Sequence, residues 1–94
     1  MNKDIKFPVG LTVYKGDWEG SQWTITGNPK QSMTVRQFES AYEFEEFIQQ
    51  KVACKGIEFD SEFSQFFAYA KTKASALAFA TRIEKYFEKV RNLL

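Results

Sequence analysis

Residues 63–92, FSQFFAYAKTKASALAFATRIEKYFEKVRN, predict two kinds of secondary structure in succession, because their hydrophobic period changes part-way along. In the first part of this stretch, side chains of similar character recur at every second position. This period of two predicts a strand over roughly 63–71. An amphipathic helix that starts after Asp60 is the alternative. The side chains that also fit helical spacing are Phe63, Phe66, Phe67 and Ala70.

The second part of this stretch predicts a long helix over about 73–92. Thr72 is a suitable N-cap residue, and the segment that follows is rich in alanine, the best helix former. Apolar residues recur there at spacings of three and four, as on one face of a helix. They are Ala76, Phe79, Ala80, Ile83, Phe87 and Val90.

A shorter helix is predicted upstream, over about 41–55. Ser40 and Glu43 form a capping-box pattern, in which the serine hydroxyl accepts from the third helical N–H and the glutamate reaches back to the serine N–H. Gly56 supplies a C-terminal stop. The apolar stripe consists of Phe44, Phe47, Ile48 and Val52.

The first third of the chain predicts three strands, near 8–14, 21–26 and 31–38, because apolar and polar residues alternate there. Glycine-rich and proline-containing segments at 15–20 and 27–30 are suited to the turns between them. The residues expected to face the helices are Leu11, Val13, Trp23, Ile25, Met33 and Val35.

These elements predict an α+β fold, a two-layer sandwich with the order β-β-β-α-β-α in a single small domain, 1–94. Both helices are expected on one face of a four-stranded mixed sheet. A right-handed crossover through the first helix is expected to set strand four parallel to strand three.

Composition narrows the class of protein. The 94 residues carry a formal net charge of +1, and 17% of them are aromatic, far more than a disordered chain contains. Cys54 is the single cysteine, which excludes a disulfide-stapled secreted scaffold. The first residues lack a signal-type apolar segment, and no stretch approaches membrane-spanning length, so we expect a cytoplasmic protein with no membrane partner.

Residues suited to catalysis are scarce. The chain has no histidine, the commonest general base near neutral pH. Cys54 is predicted near a helix C-terminus, where the helix dipole disfavours a thiolate. The acidic residues of 43–46 and 58–62 lack calcium-loop spacing, and no phosphate-binding loop is present. We therefore expect no enzyme activity, no cofactor, no metal site and no small-molecule substrate.

The surface is the remaining place for function. If Ala68 and Ala70 lie beneath the helices, then Phe63, Phe67 and Tyr69 point outward on the reverse of the sheet, and an aromatic patch of this kind marks an interaction site. The alternative is that these rings are core, with Phe66 and the alanines outside. Charge is also segregated: residues 39–62 carry seven acidic and two basic side chains, and 63–94 carry six basic and two acidic.

The preferred hypothesis is a non-catalytic cytoplasmic interaction module that binds another protein or itself, as a homodimer. Inhibitors and accessory factors, including those of phages and other mobile elements, are often standalone domains of this size. The candidate partner-binding residues are Phe63, Phe67, Tyr69, Tyr14, Trp18, Arg36 and Lys71.

The alternative hypothesis is a single-stranded nucleic-acid-binding domain, since bases stack on rings while basic side chains meet phosphates. The segment 65–71 resembles the third-strand motif of RNA-recognition-motif domains at Phe67, Ala68 and Tyr69. It departs from that motif at Gln65, at Phe66 and at Thr72. Binding would use the same sheet face or the basic end of the chain, which comprises Lys71, Lys73, Arg82, Lys85, Lys89 and Arg91.

Overall fold

The computed structural model describes residues 4–16, 22–28 and 38–92, which form an α+β fold with two helices packed on an antiparallel sheet. The order of elements along the described chain is β-β-β-α-β-β-α. The strands are β1 (Ile5–Lys6), β2 (Thr12–Lys15), β3 (Trp23–Gly27), β4 (Ile57–Phe59) and β5 (Phe66–Ala70), and the helices are α1 (Ala41–Lys51) and α2 (Lys73–Asn92).

The strands lie side by side in the order β1-β2-β3-β5-β4, and every neighbouring pair is antiparallel. The register aligns Val13 with Ile25, Ile25 with Ala68, and Ala68 with Phe59. Successive side chains of a strand point to opposite faces of a sheet. The side chains of this row therefore lie on one face, and those of the rows on either side of it lie on the other.

Both helices cover the face that carries this row. α2 lies against β2, β3 and β5, and α1 lies against β5. The apolar side chains between the layers are fully buried, including Val13, Ile25 and Ala68 from the sheet. Their partners from the helices are Phe44, Ile48, Ala76, Phe79, Ala80, Ile83 and Phe87. The predicted two-layer architecture is therefore confirmed.

The hydroxyl caps of both helices lie where they were predicted. The Ser40 hydroxyl accepts from the N–H of Glu43 at 3.2 Å. The Glu43 carboxylate accepts from the N–H of Glu39, one residue before the serine N–H to which the prediction assigned it. The Thr72 hydroxyl accepts from the N–H of Ser75 at 3.1 Å. Each cap satisfies an N–H that has no partner within its own helix.

The end of α1 differs from the prediction. The helix ends at Lys51 rather than at residue 55, with Val52 as an extended C-cap. Gly56, at φ +79°, occupies the turn that leads into β4 and does not terminate the helix. Its left-handed conformation favours glycine because other residues pay a steric cost there.

The predicted first strand, 8–14, begins too early. Phe7 donates its N–H to the carbonyl of Leu11 at 2.8 Å, which closes a turn that contains Pro8 and Gly10. Gly10 adopts φ +104°, and the chain pairs as two short strands, β1 and β2. The second predicted strand is confirmed as β3, and residues 31–37 of the third lie outside the described residues.

The observed sheet differs from the predicted one in its strands. β5 pairs with β3 in antiparallel register, from Trp23 opposite Ala70 to Gly27 opposite Phe66. β4, a three-residue strand that the prediction missed, pairs with β5 on its other side and is also antiparallel. The described sheet is thus five-stranded and antiparallel instead of four-stranded and mixed. The predicted parallel partner of β5 is the third predicted strand, whose residues 31–37 lie outside the described residues, so the crossover stays a prediction.

Candidate functional site

The face of the sheet that points away from the helices is the candidate site. We call it the outer face and define it by the side chains of Thr12, Tyr14, Thr24, Thr26, Glu58, Phe67 and Tyr69, which share one parity in the register. Phe66, Ala68 and Ala70 are at most 1% exposed beneath the helices. The expectation that the alanines lie inward is confirmed, and the alternative that places Phe66 and the alanines outside is wrong.

Two tyrosines and a threonine occupy the centre of the outer face. The register places Thr24 between Tyr14 on β2 and Tyr69 on β5. Thr24 is only 3% exposed, whereas both tyrosines are partly exposed. Phe67 lies one row away, opposite Thr26, and is also partly exposed. The three rings therefore belong to one surface made from three adjacent strands.

Hydrogen bonds fix the edge of this surface. The Thr26 hydroxyl donates to the carbonyl of Phe66 and accepts from the Gln65 amide, both at 2.7 Å. The N–H of Phe67 donates to the Ser61 hydroxyl, and its carbonyl accepts from the N–H of Asp60. Because the backbone on both sides of Phe67 is held, its ring is presented by rigid structure.

Carboxylates border the aromatic rings on the β4 side. Glu58 lies directly opposite Tyr69, and Asp60 continues the pairing opposite Phe67. Glu62 is close enough for its charge to act on Tyr69. The outer face thus combines an aromatic centre with an acidic border on the β4 side, whereas on the β1 side the exposed Lys6 lies opposite Thr12.

This setting raises the pKa of the Tyr69 hydroxyl. Burial is the largest cause, followed by the negative charge of Asp60, the neighbouring Tyr14, and a hydrogen bond to the Asp60 carboxylate. The charge of Glu62 adds to the effect. Each influence disfavours a phenolate, so Tyr69 remains a neutral hydrogen-bond donor.

We expect Asp60→Asn to lower the pKa of Tyr69 towards the ordinary tyrosine value of about 10, because both the charge and its hydrogen bond are removed. The measurement is a titration of the assigned Tyr69 ring carbons by NMR. Since the folded pKa is the higher one, protonated Tyr69 favours the folded state up to about pH 10, and this stabilisation is lost as the pH rises through the folded value. Glu88→Gln on α2 is the control, and an equal shift in both variants would contradict the assignment.

The other predicted site residues do not join this surface. Phe63 is 61% exposed but precedes β5, and its ring lies 6.5 Å from that of Tyr42 at the start of α1. Lys71 is exposed just beyond the end of β5. Trp18 and Arg36 lie outside the described residues. Tyr42, which is 54% exposed, was not predicted as a site residue, because only the packing of the folded chain places it beside Phe63.

The single cysteine is unsuited to nucleophilic chemistry. Burial raises the pKa of the Cys54 thiol, against a smaller opposing effect of the Arg82 charge. The thiol donates to the carbonyl of Val52 at 3.2 Å, which holds its proton. Within the described parts of the chain, no three His, Cys, Asp or Glu side chains are grouped so as to hold a metal ion.

Comparison with known proteins gives no match to a family model, to a curated protein or to a solved structure. Among the described helices, none is both long and apolar enough to cross a bilayer.

Proposed function

We propose that this protein is a non-catalytic interaction module of the cytoplasm, an inhibitor or accessory factor that binds another protein through its outer face. The observation that carries the proposal is the alignment of Tyr14, Phe67 and Tyr69 on one surface of the sheet. Tyrosine and other aromatic side chains are enriched at protein interfaces, where they supply much of the binding energy.

The border of the face indicates the chemistry of the partner. An interface commonly has an apolar centre and a polar rim, and the rim fixes register and steers association. Here the rim on the β4 side contains Glu58, Asp60 and Glu62. The partner surface that fits is an apolar patch with lysine or arginine on the side that meets these carboxylates.

The same carboxylates argue against nucleic acid on this face. Affinity for a nucleic-acid strand depends on neutralising its phosphates with basic groups. Asp60 and Glu58 lie opposite the two rings that would have to stack the bases, and their charge repels the phosphates. A protein partner accounts better for the outer face.

A matched pair of double variants tests this proposal. Phe67→Ser with Tyr69→Ser removes the rings of the outer face, and Tyr42→Ser with Phe63→Ser removes the same two residue types from the other exposed pair. Proteins captured from the native host by the wild type are purified, and their affinities for all three chains are measured by calorimetry. Circular dichroism checks that each chain is folded.

We expect the outer-face double variant to lose affinity by about 100-fold or more, as for paired interface hot spots. The Tyr42 and Phe63 double variant is expected to bind like the wild type. Light scattering on the isolated protein shows whether the partner is a second copy, in which case the outer-face variant becomes monomeric. Equal binding by all three chains, with no self-association, would refute the proposal.

A further inference from the structure

A second surface, on the helix layer, combines positive charge with an aromatic ring. A shallow open groove of about 360 Å³ lies between the end of α1 and the middle of α2. We call it the cationic groove and define it by its lining residues, Lys51, Val52, Ala53, Arg82, Lys85, Tyr86 and Lys89. Four of these seven are basic and none is acidic, so the groove attracts anions.

The basic residues of α2 form one stripe. Arg82, Lys85 and Lys89 are three and four residues apart, the spacing that places side chains on the same side of a helix. At 1.5 Å per residue they extend over about 10 Å along the axis. Lys51 supplies a fourth charge from the opposite wall. Charges spread over this length suit a chain of anionic groups better than a single small anion.

Arg82 also stabilises the wall of the groove. Its Nε donates to the carbonyl of Ala53 at 3.0 Å, and its guanidinium lies over the ring of Phe79. The bond occupies one of five guanidinium N–H donors and fixes the wall of the groove. Lys85 and Lys89 are exposed, so their charges are presented to solvent on this fixed wall.

Tyr86 supplies the aromatic element. Its ring makes T-shaped contacts with those of Phe47 and Phe87, with centroids 5.8 and 5.6 Å away, and the residue remains partly exposed in the groove. The negative face of an aromatic ring gains nothing from a carboxylate, whereas a nucleobase stacks on it. This distinguishes a nucleic-acid strand from an acidic peptide as the occupant.

We propose that the cationic groove binds single-stranded nucleic acid, with Lys85, Lys89 and Lys51 on the phosphates and Tyr86 against a base. This site is separate from the outer face and does not rest on its function. Of the basic residues near the end of the chain, Arg82, Lys85 and Lys89 line the groove, whereas Lys71 and Lys73 do not.

The test measures fluorescence anisotropy of a labelled twelve-residue oligothymidylate at several salt concentrations. For three to four phosphate contacts, the logarithm of the wild-type affinity is expected to fall with the logarithm of salt at a slope of about −2 to −3. Lys85→Gln with Lys89→Gln is expected to flatten this slope by about 1.4 and to weaken binding at least about tenfold at low salt.

Lys6→Gln with Lys71→Gln is the matched control, because it removes two exposed lysines outside the groove. This control is expected to bind within about twofold of the wild type, and so is the Phe67 and Tyr69 double variant. Absent wild-type binding at low salt, or equal losses in both lysine variants, would overturn the proposal. Polyglutamate that competes as well as unlabelled oligothymidylate of equal charge would overturn it too and identify an acidic peptide as the occupant.

Discussion

Replacing Phe44 by alanine is expected to lower the free energy of unfolding by about 3 to 5 kcal/mol. Phe44 is fully buried, and its ring contacts Phe38, Phe66 and Phe87, which lie before α1, on β5 and on α2. One side chain thus joins the sheet to both helices, and its removal leaves a cavity between rigid elements. The loss is a large share of the 5 to 15 kcal/mol typical of a whole domain.

Urea denaturation followed by tryptophan fluorescence measures this change. Phe63→Ala is the control, because Phe63 is the same residue type at 61% exposure and is expected to cost less than about 0.5 kcal/mol. Similar losses for both variants would show that Phe44 does not have the central packing role assigned to it.

Ala68→Lys is expected to cost about 3 to 5 kcal/mol, because it places an unpaired charge in the core. Ala68 is completely buried, and its register neighbours are Ile25 and Phe59. The adjacent substitution Phe67→Lys places the same charge on the outer face, opposite Thr26 and close to Asp60, and is expected to cost about 1 kcal/mol or less.

Thermal and urea unfolding of these two neighbouring variants compares the two faces of one strand directly. The ratio of the losses is informative because the introduced side chain is the same. A greater loss of stability for Phe67→Lys than for Ala68→Lys would mean that the side of β5 that carries Phe67 faces the core.

The sequence predicts best where the determining interactions are local. The caps at Ser40 and Thr72, the apolar stripe of α2 and the alternation along β5 each depend on residues a few positions apart. The sequence alone does not decide which side of β5 is buried, since aromatic rings and alanines both suit a buried face. The structure shows that the buried side carries Phe66, Ala68 and Ala70, beneath the two helices that contact β5.

Non-local features escaped prediction. β4 has only three residues, too few for a clear period, so the prediction missed this strand beside β5. The groove wall contributed by Lys51 depends on where α1 ends and how it packs on α2, which no short pattern encodes. The pairing of Phe63 with Tyr42 has the same origin.

Whether the rings of the outer face are exposed to solvent is measured by NMR on assigned ring protons, with a neutral gadolinium chelate at a concentration where light scattering gives a monomer mass. We expect strong relaxation enhancement for Tyr14, Phe67 and Tyr69, and little for Phe44 and Phe66. Enhancement at the outer-face rings as low as that of the two buried phenylalanines would contradict this expectation.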